Sequence, residues 1–268
     1  SSYQLAVLVA LLPCGVIGEM VGPRRVFLAG VALFTLASAA CAFSGSLQML
    51  VAARFVQGLG GGAIMALGIM NLRFAVPQRL LGTIIGINAM TIAIASAAGP
   101  GIAGAILAVA SWPWLFAVNI PLGIVVLAAG AVLAGTKGVA RRLDGKAVVA
   151  NTLMFILFFL GADRVAQAPV SGGLLIAGSV ACLFGLLRIE RRSTSPLVPT
   201  DLFAVAAFRF SALASVCCFS GQTLGAVALP FYLQHTLGMT ATQAGLYMMP
   251  WPAAVALSAP NSGRLANR

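Results

Sequence analysis

The chain has 268 residues, 60% of them hydrophobic and only 8% charged, with mean hydropathy +1.03 and a formal net charge of +11. Soluble domains carry about 25% charged residues, so this chain has too little polar surface to coat a water-soluble globule. A basic excess of this size would suggest nucleic acid in a soluble protein, but here Lys and Arg sit in short stretches between apolar blocks, which excludes a nucleic-acid partner and points to orientation in a lipid bilayer.

In hydrocarbon every backbone N–H and C=O must be satisfied internally, leaving a helix bundle or a closed barrel. Alternating ten-residue segments are absent, so the expectation is an all-α, polytopic transmembrane helix bundle. Nine blocks of membrane-crossing length are predicted at 2–19, 26–44, 48–71, 81–109, 114–134, 147–163, 171–188, 208–234 and 241–262. If the loop holding Arg24 and Arg25 is cytoplasmic and the loops alternate, 14 of the 16 Lys and Arg fall on that side. Arg164 alone falls on the other, and Arg54 lies inside a span. That asymmetry follows the positive-inside rule. Cys14, Cys41, Cys182, Cys217 and Cys218 all lie in apolar blocks without a C-x-x-C pair, and read as small buried hydrophobes rather than a metal site. The opening SSYQLAVLVALLP lacks the basic start of a signal peptide. A span begins at residue 1 and the chain stops at NSGRLANR, so a piece of a larger protein is expected.

Four segments carry most of the information. The first connection, GVIGEMVGPRR at 15–25, has Gly15 and Gly22 to let helix ends approach. Glu19 can cap or pair near a helix end, and Arg24 with Arg25 fix the loop on the inner side. An ordinary basic turn accounts for the same residues. In RFVQGLGGGAIMALG at 54–68, Arg54 is the one charge well inside a span, at a cost of roughly 2.5–3.5 kcal/mol on insertion scales. Helical spacing puts Arg54, Gly58, Gly62 and Ala66 on one face, so Arg54 is expected to point at a neighbouring helix. Snorkelling to the headgroups is the alternative. In IASAAGPGIAGAIL at 94–107, Pro100 cannot donate to the Ser96 carbonyl, which predicts a bend. Ala95, Gly99 and Ala103 share one face, Ala97, Gly101 and Ala105 another, and small residues of this kind let membrane helices nest. A generic kinked packing helix has the same features. In WPWLFAVNIPLG at 112–123, Trp112 and Trp114 fit an outer aromatic belt, with Asn119 and Pro121 inside the span.

These segments together resemble the major facilitator superfamily. Gly15, Glu19, Gly22, Arg24 and Arg25 are similar to its loop signature G-x-x-x-D-x-x-G-x-R-R, with Glu for the usual Asp. Arg54, Gln57, Gly58 and Gly60 resemble its fourth-span motif R-x-x-Q-G-x-G. Gly86, Ala95, Gly99, Pro100, Ala103 and Gly104 resemble the exporters' fifth-span motif G-x(8)-G-x(3)-G-P-x-x-G-G, with alanine in two glycine positions. The run from Trp112 to Gly123 is similar to the sixth span of the fourteen-span drug:proton antiporters, and LDGKAVV, RIERRSTSPLVPTDLF and FYLQHTLGMTATQAGLYMMP agree downstream. GRLANR at 263–268 resembles a second copy of the loop signature, with Asn267 where an acid is common.

The resemblance implies three regions. Residues 1–134 are the N-terminal transporter half (spans two to six), 135–207 two inserted spans with basic linkers, and 208–268 the start of the C-terminal half. The first span and the last four would be absent. It also implies a charge relay at Glu19, Arg24 and Arg25 that latches the outward-facing state, a part in proton transfer for Arg54, and a seal against proton leak at the fifth span. Glu19, Asp144, Asp163, Glu190 and Asp201 all lie at loops or span ends, so no central proton-carrying acid is present; in related transporters it often lies in the first span. Asp144 and Glu190 read as solvated or paired with Lys146 and Arg191, and His235 as an incidental polar residue. Gln57, Asn88, Asn119 and Gln222 are the polar groups inside spans. The expectation is proton-coupled efflux of lipophilic, cationic compounds across a bacterial inner membrane. Its partners are the lipid bilayer, a small lipophilic substrate and protons, with no cofactor. The alternatives are a same-fold proton symporter for a small metabolite and an inactive truncated piece. No H-E-x-x-H, G-x-S-x-G, nucleotide loop or central carboxylate pair supports an enzyme.

Overall fold

Proline and glycine set where the helices start and stop. The computed structural model describes residues 2–130, 138, 143–191, 197 and 200–265. In chain order the helices are α1 (Ser2–Val21), α2 (Pro23–Ala42), α3 (Leu47–Ala75), α4 (Leu81–Val109), α5 (Trp114–Ala117), α6 (Asn119–Gly130), α7 (Gly145–Arg164), α8 (Pro169–Glu190), α9 (Ala206–Phe231), α10 (Ala241–Met248) and α11 (Pro250–Leu265). A π-helical turn, Tyr232–Thr236, continues α9. Seven helical stretches among the described residues are long and apolar enough to cross a membrane. They match seven of the nine predicted blocks.

The other two blocks are interrupted. The block predicted at 114–134 is described only to Gly130, and breaks at Val118 between α5 and α6. The block at 241–262 breaks at Met249, because Pro250 and Pro252 have no N–H to carry the ladder on. The Leu246 carbonyl instead accepts from the Met249 N–H at 3.2 Å.

The helices divide into two units, Ser1–Val76 with Ile106–Val198, and Pro77–Ala105 with Pro199–Arg268. In the first, α3 packs along both α1 and α2. Glycine makes that possible. A Cβ on Gly60 would sit 2.7 Å from the Gly30 carbonyl oxygen and 2.7 Å from the Phe34 nitrogen of α2. On the side facing α1, one on Gly62 would sit 2.8 Å from the Ala10 Cβ, and one on Gly58 would collide with the Tyr3 carbonyl. In lipid such close contact, rather than apolar burial, holds helices together.

Gly22 alone joins α1 to α2, at φ 108° and ψ 127°, a conformation that an L side chain rarely adopts. Pro23 then opens α2 with its preset φ. Gly15, expected to help the ends approach, has nothing within 4 Å of its Cβ position, so Gly22 does that work by its backbone and Gly15 does not.

One end of this unit gathers the basic connections. The Asn71 side chain donates to the Pro23 carbonyl at 3.4 Å, and Arg24 Nε donates to the Gly130 carbonyl at 3.1 Å. Val16, Ala147, Leu186 and Leu197 form a buried apolar cluster there. Asp144 caps α7 by accepting from the Lys146 backbone N–H at 2.9 Å. Glu190 is 3% exposed and is engaged by neighbouring groups, so of the two readings, solvated or paired, the solvated one falls. At the opposite end the Ser46 hydroxyl caps α3 through the Met49 N–H at 3.2 Å.

In the second unit α4 is continuous through position 100, and its span and that of α9 are 6% and 0% buried. Cys217 and Cys218 on α9 are exposed rather than buried. His235 stacks on Phe231 with ring centroids 5.8 Å apart.

Candidate functional site

Arg54 lies two turns into α3, at the end away from the basic connections. Arg54 is half-buried and its guanidinium touches protein groups on three sides. Nη1 donates to Gln57 Oε1 at 2.8 Å, one turn along the same helix. The Gln57 side chain is 1% exposed, and its Nε2 donates to the Ser38 hydroxyl of α2 at 2.6 Å. Ser38 is fully buried and donates in turn to the Phe34 carbonyl at 2.7 Å. The guanidinium carbon also lies 4.5 Å from the centroid of the Tyr3 ring on α1 and 5.5 Å from that of Phe116 on α5. Four helices thus converge on one charge.

Every contact of the Arg54 guanidinium among the described residues is with a neutral group. Cation–π contacts contribute about 0.5–1 kcal/mol each at exposed sites and about 2 when desolvated. Two rings and a charge-assisted hydrogen bond are therefore of the same order as the roughly 2.5–3.5 kcal/mol that inserting an arginine costs. The cage can hold the charge in place without a carboxylate.

The remaining predicted residues are scattered. Arg24 is half-buried and Arg25 exposed, beside Gly22, and Glu19 is engaged rather than free. On α4, Gly86 and Ala93 are buried among the described residues, whereas Ala95, Gly99, Gly101 and Gly104 are exposed. A Cβ at Gly99, Gly101 or Gly104 would meet nothing within 4 Å. These glycines lie in the unit made of residues 77–105 and 199–268, and the Pro100 side chain lies outside the described residues. Trp112 and Trp114 are exposed at the Arg54 end, with Trp112 edge-on to Phe116 at 6.2 Å. Asn119 is half-buried, Pro121 is exposed, and Gln222 is exposed. Asn267 lies outside the described residues. No group of three or more potential metal ligands occurs among the described residues.

Sequence reasoning missed Tyr3 and Ser38, took Phe116 only as part of the sixth-span pattern, and missed Asn151, a fully buried polar residue on α7. Helical spacing along α3 could place Gln57 beside Arg54, but it carries no information about how neighbouring helices are rotated.

Comparison with known proteins agrees with this architecture. The chain is 40% identical to the Escherichia coli (strain K12) protein "Uncharacterized transporter YebQ", over 100% of this chain and 60% of that protein. It is 30% identical to the tetracenomycin C resistance and export protein of Streptomyces glaucescens, over 100% of this chain and 51% of that one. It is 32% identical to MdtD of Salmonella typhi, provisionally named as a multidrug resistance protein, over 93% and 54%. The chain thus spans between half and 60% of the length of these relatives. The family profile of the Major Facilitator Superfamily matches residues 1–268. With helices of membrane-crossing length, close glycine packing and a profile match from end to end, this chain is a multi-pass membrane protein belonging to the Major Facilitator Superfamily.

Proposed function

We propose that the chain is part of a proton-coupled exporter of lipophilic, cationic compounds, a transporter and not an enzyme, oriented in a bacterial inner membrane with the Arg24 end cytoplasmic. Two helical halves would rock about a central site. The observation that carries the reading is Arg54, a buried-facing cation held by Tyr3, Phe116 and Gln57. A charge kept inside a membrane helix bundle marks a proton or substrate path by default. With only neutral neighbours, its field is available to a titrating acid or to a bound ligand. The resemblance of the Gly86–Gly104 pattern to exporters, and the export and resistance names of two relatives, favour outward over inward transport. Glu19, Arg24 and Arg25 at the one-residue Gly22 connection are proposed as the latch of one transport state.

The test uses everted vesicles carrying the full-length protein, an imposed pH gradient and ethidium as the lipophilic cation. Uphill ethidium accumulation that collapses with a protonophore is expected, and Arg54→Ala should lower it at least about tenfold, the loss of roughly 1.4 kcal/mol or more, with unchanged protein in the membrane. Accumulation that ignores the protonophore, or survives Arg54→Ala, overturns the coupling. The neutral cage also suits an anion at Arg54, which is the symporter reading. That reading predicts gradient-driven entry of a labelled organic acid into right-side-out vesicles and no movement of ethidium.

A further inference from the structure

Pro13 sits inside α1. It has no N–H, so the carbonyl four residues back, that of Val9, loses its helical donor. In hydrocarbon such a carbonyl must be satisfied by a neighbour. The structure supplies one from 142 residues away, as Asn151 Nδ2 of α7 donates to the Val9 carbonyl at 3.2 Å. Asn151 is 0% exposed, and its Oδ1 is buried with no hydrogen-bond partner among the described residues. A buried amide with one end unsatisfied costs more than an apolar side chain of the same size. The Val9 bond is therefore the gain that this residue brings.

The surrounding contacts make the bond part of a docking face. Ala147, one turn before Asn151, is fully buried in the cluster with Val16 of α1 and Leu186 of α8. This sets α7 antiparallel to α1. The two helices of the inserted pair are themselves joined tightly. Ser179 of α8 donates to the Met154 carbonyl of α7 at 2.8 Å, and a Cβ on Gly161 would lie 3.0 Å from the Gly172 carbonyl oxygen.

We propose that Asn151 docks the α7–α8 hairpin on the carbonyl that Pro13 opens in α1, so that the hairpin travels with α1 as one body through the transport cycle. Asn151 is a positioning residue in this scheme. The docking stands on the geometry alone, and only the words about the cycle rest on the transport reading above.

The experiment uses the full-length protein with all cysteines replaced and the pair Val16→Cys and Ala147→Cys introduced. Oxidation should give a disulfide in the same yield with and without an imposed pH gradient, and the cross-linked protein should still export ethidium. No disulfide, or a yield that changes with the gradient, overturns the proposal. So does export that is lost on cross-linking and returns on reduction. If even the reduced protein exports nothing, the transport reading fails, while the yields, read on a gel, still decide the docking. Asn151→Leu should slow cross-linking about two- to threefold, the usual scale for one interhelical hydrogen bond in a membrane. Measured against Pro13→Ala alone, Asn151→Leu should bring no further slowing, because the alanine N–H at position 13 already occupies the Val9 carbonyl. Equal slowing with and without Pro13→Ala overturns the role of the opened carbonyl, since simple loss of packing would give that result.

Discussion

Arg54 is held by a chain of neutral donors and acceptors, and the links of that chain should not weigh equally. Gln57 touches the guanidinium directly, whereas Ser38 acts only by fixing Gln57. Gln57→Leu keeps the volume and removes both hydrogen bonds, so it should cut proton-coupled ethidium transport by about tenfold, the cost of losing a bond to a charged group. Ser38→Ala leaves the Arg54–Gln57 bond in place and should cost only about two- to threefold, in keeping with the roughly 0.6 kcal/mol average for interhelical hydrogen bonds. Initial rates in everted vesicles at matched protein levels decide the order. A Ser38→Ala defect as large as that of Gln57→Leu would mean that Arg54 is not positioned through Gln57.

Helix α3 and helix α4 are both rich in glycine, yet they use it differently. On α3, Gly58, Gly60 and Gly62 are crowded by backbone, with Gly60 against Gly30 and Phe34, Gly58 against Tyr3 and Gly62 against Val7. A side chain there must push helices apart, so Gly60→Leu should leave little folded protein in the membrane after detergent extraction and heating. On α4 the Gly99 position has nothing within 4 Å inside its own unit, and the chain covers only 51–60% of the length of the relatives YebQ and the tetracenomycin C export protein. Gly99→Leu in the full-length protein should therefore insert and resist heat like the parent while losing transport, if the remaining part supplies the helix that nests there. Normal transport by that variant would leave the α4 glycines without a packing role. The same contrast explains what could be read beforehand. Seven of the nine blocks follow from apolar length, and Pro23, Pro169 and Gly22 mark helix ends, all local signals. Which glycine is crowded depends on partner rotation, and these helices are apolar all round, so no amphipathic stripe announces it. Asn151 was missed for that reason, because its meaning comes from Pro13 on a helix far away in sequence. The interruption at Met249 was legible in Pro250 and Pro252, though block length alone concealed it.

At the scale of the whole molecule, the basic connections test the fold independently of any motif. The carbonyls of Pro23 and Gly130 and the side chains of Arg24 and Asn71 meet at one end of the first unit, together with the buried cluster of Val16, Ala147, Leu186 and Leu197. These residues belong to connections that lie far apart in sequence but all carry Lys or Arg, as expected if a single membrane face retains the positive charge. The loop between α2 and α3 lies at the other end and carries none. In a cysteine-free full-length protein, Gly45→Cys in that loop should react with a membrane-impermeant maleimide in intact cells, since Gly45 is exposed with open space about it. Gln78→Cys, exposed between α3 and α4, should react only after the membrane is opened. Reversal of both would invert the molecule and turn the proposed export into uptake, while leaving the helix packing untouched. Labelling of both from outside would mean that α3 does not cross, and would remove the membrane environment in which the cage around Arg54 has a purpose.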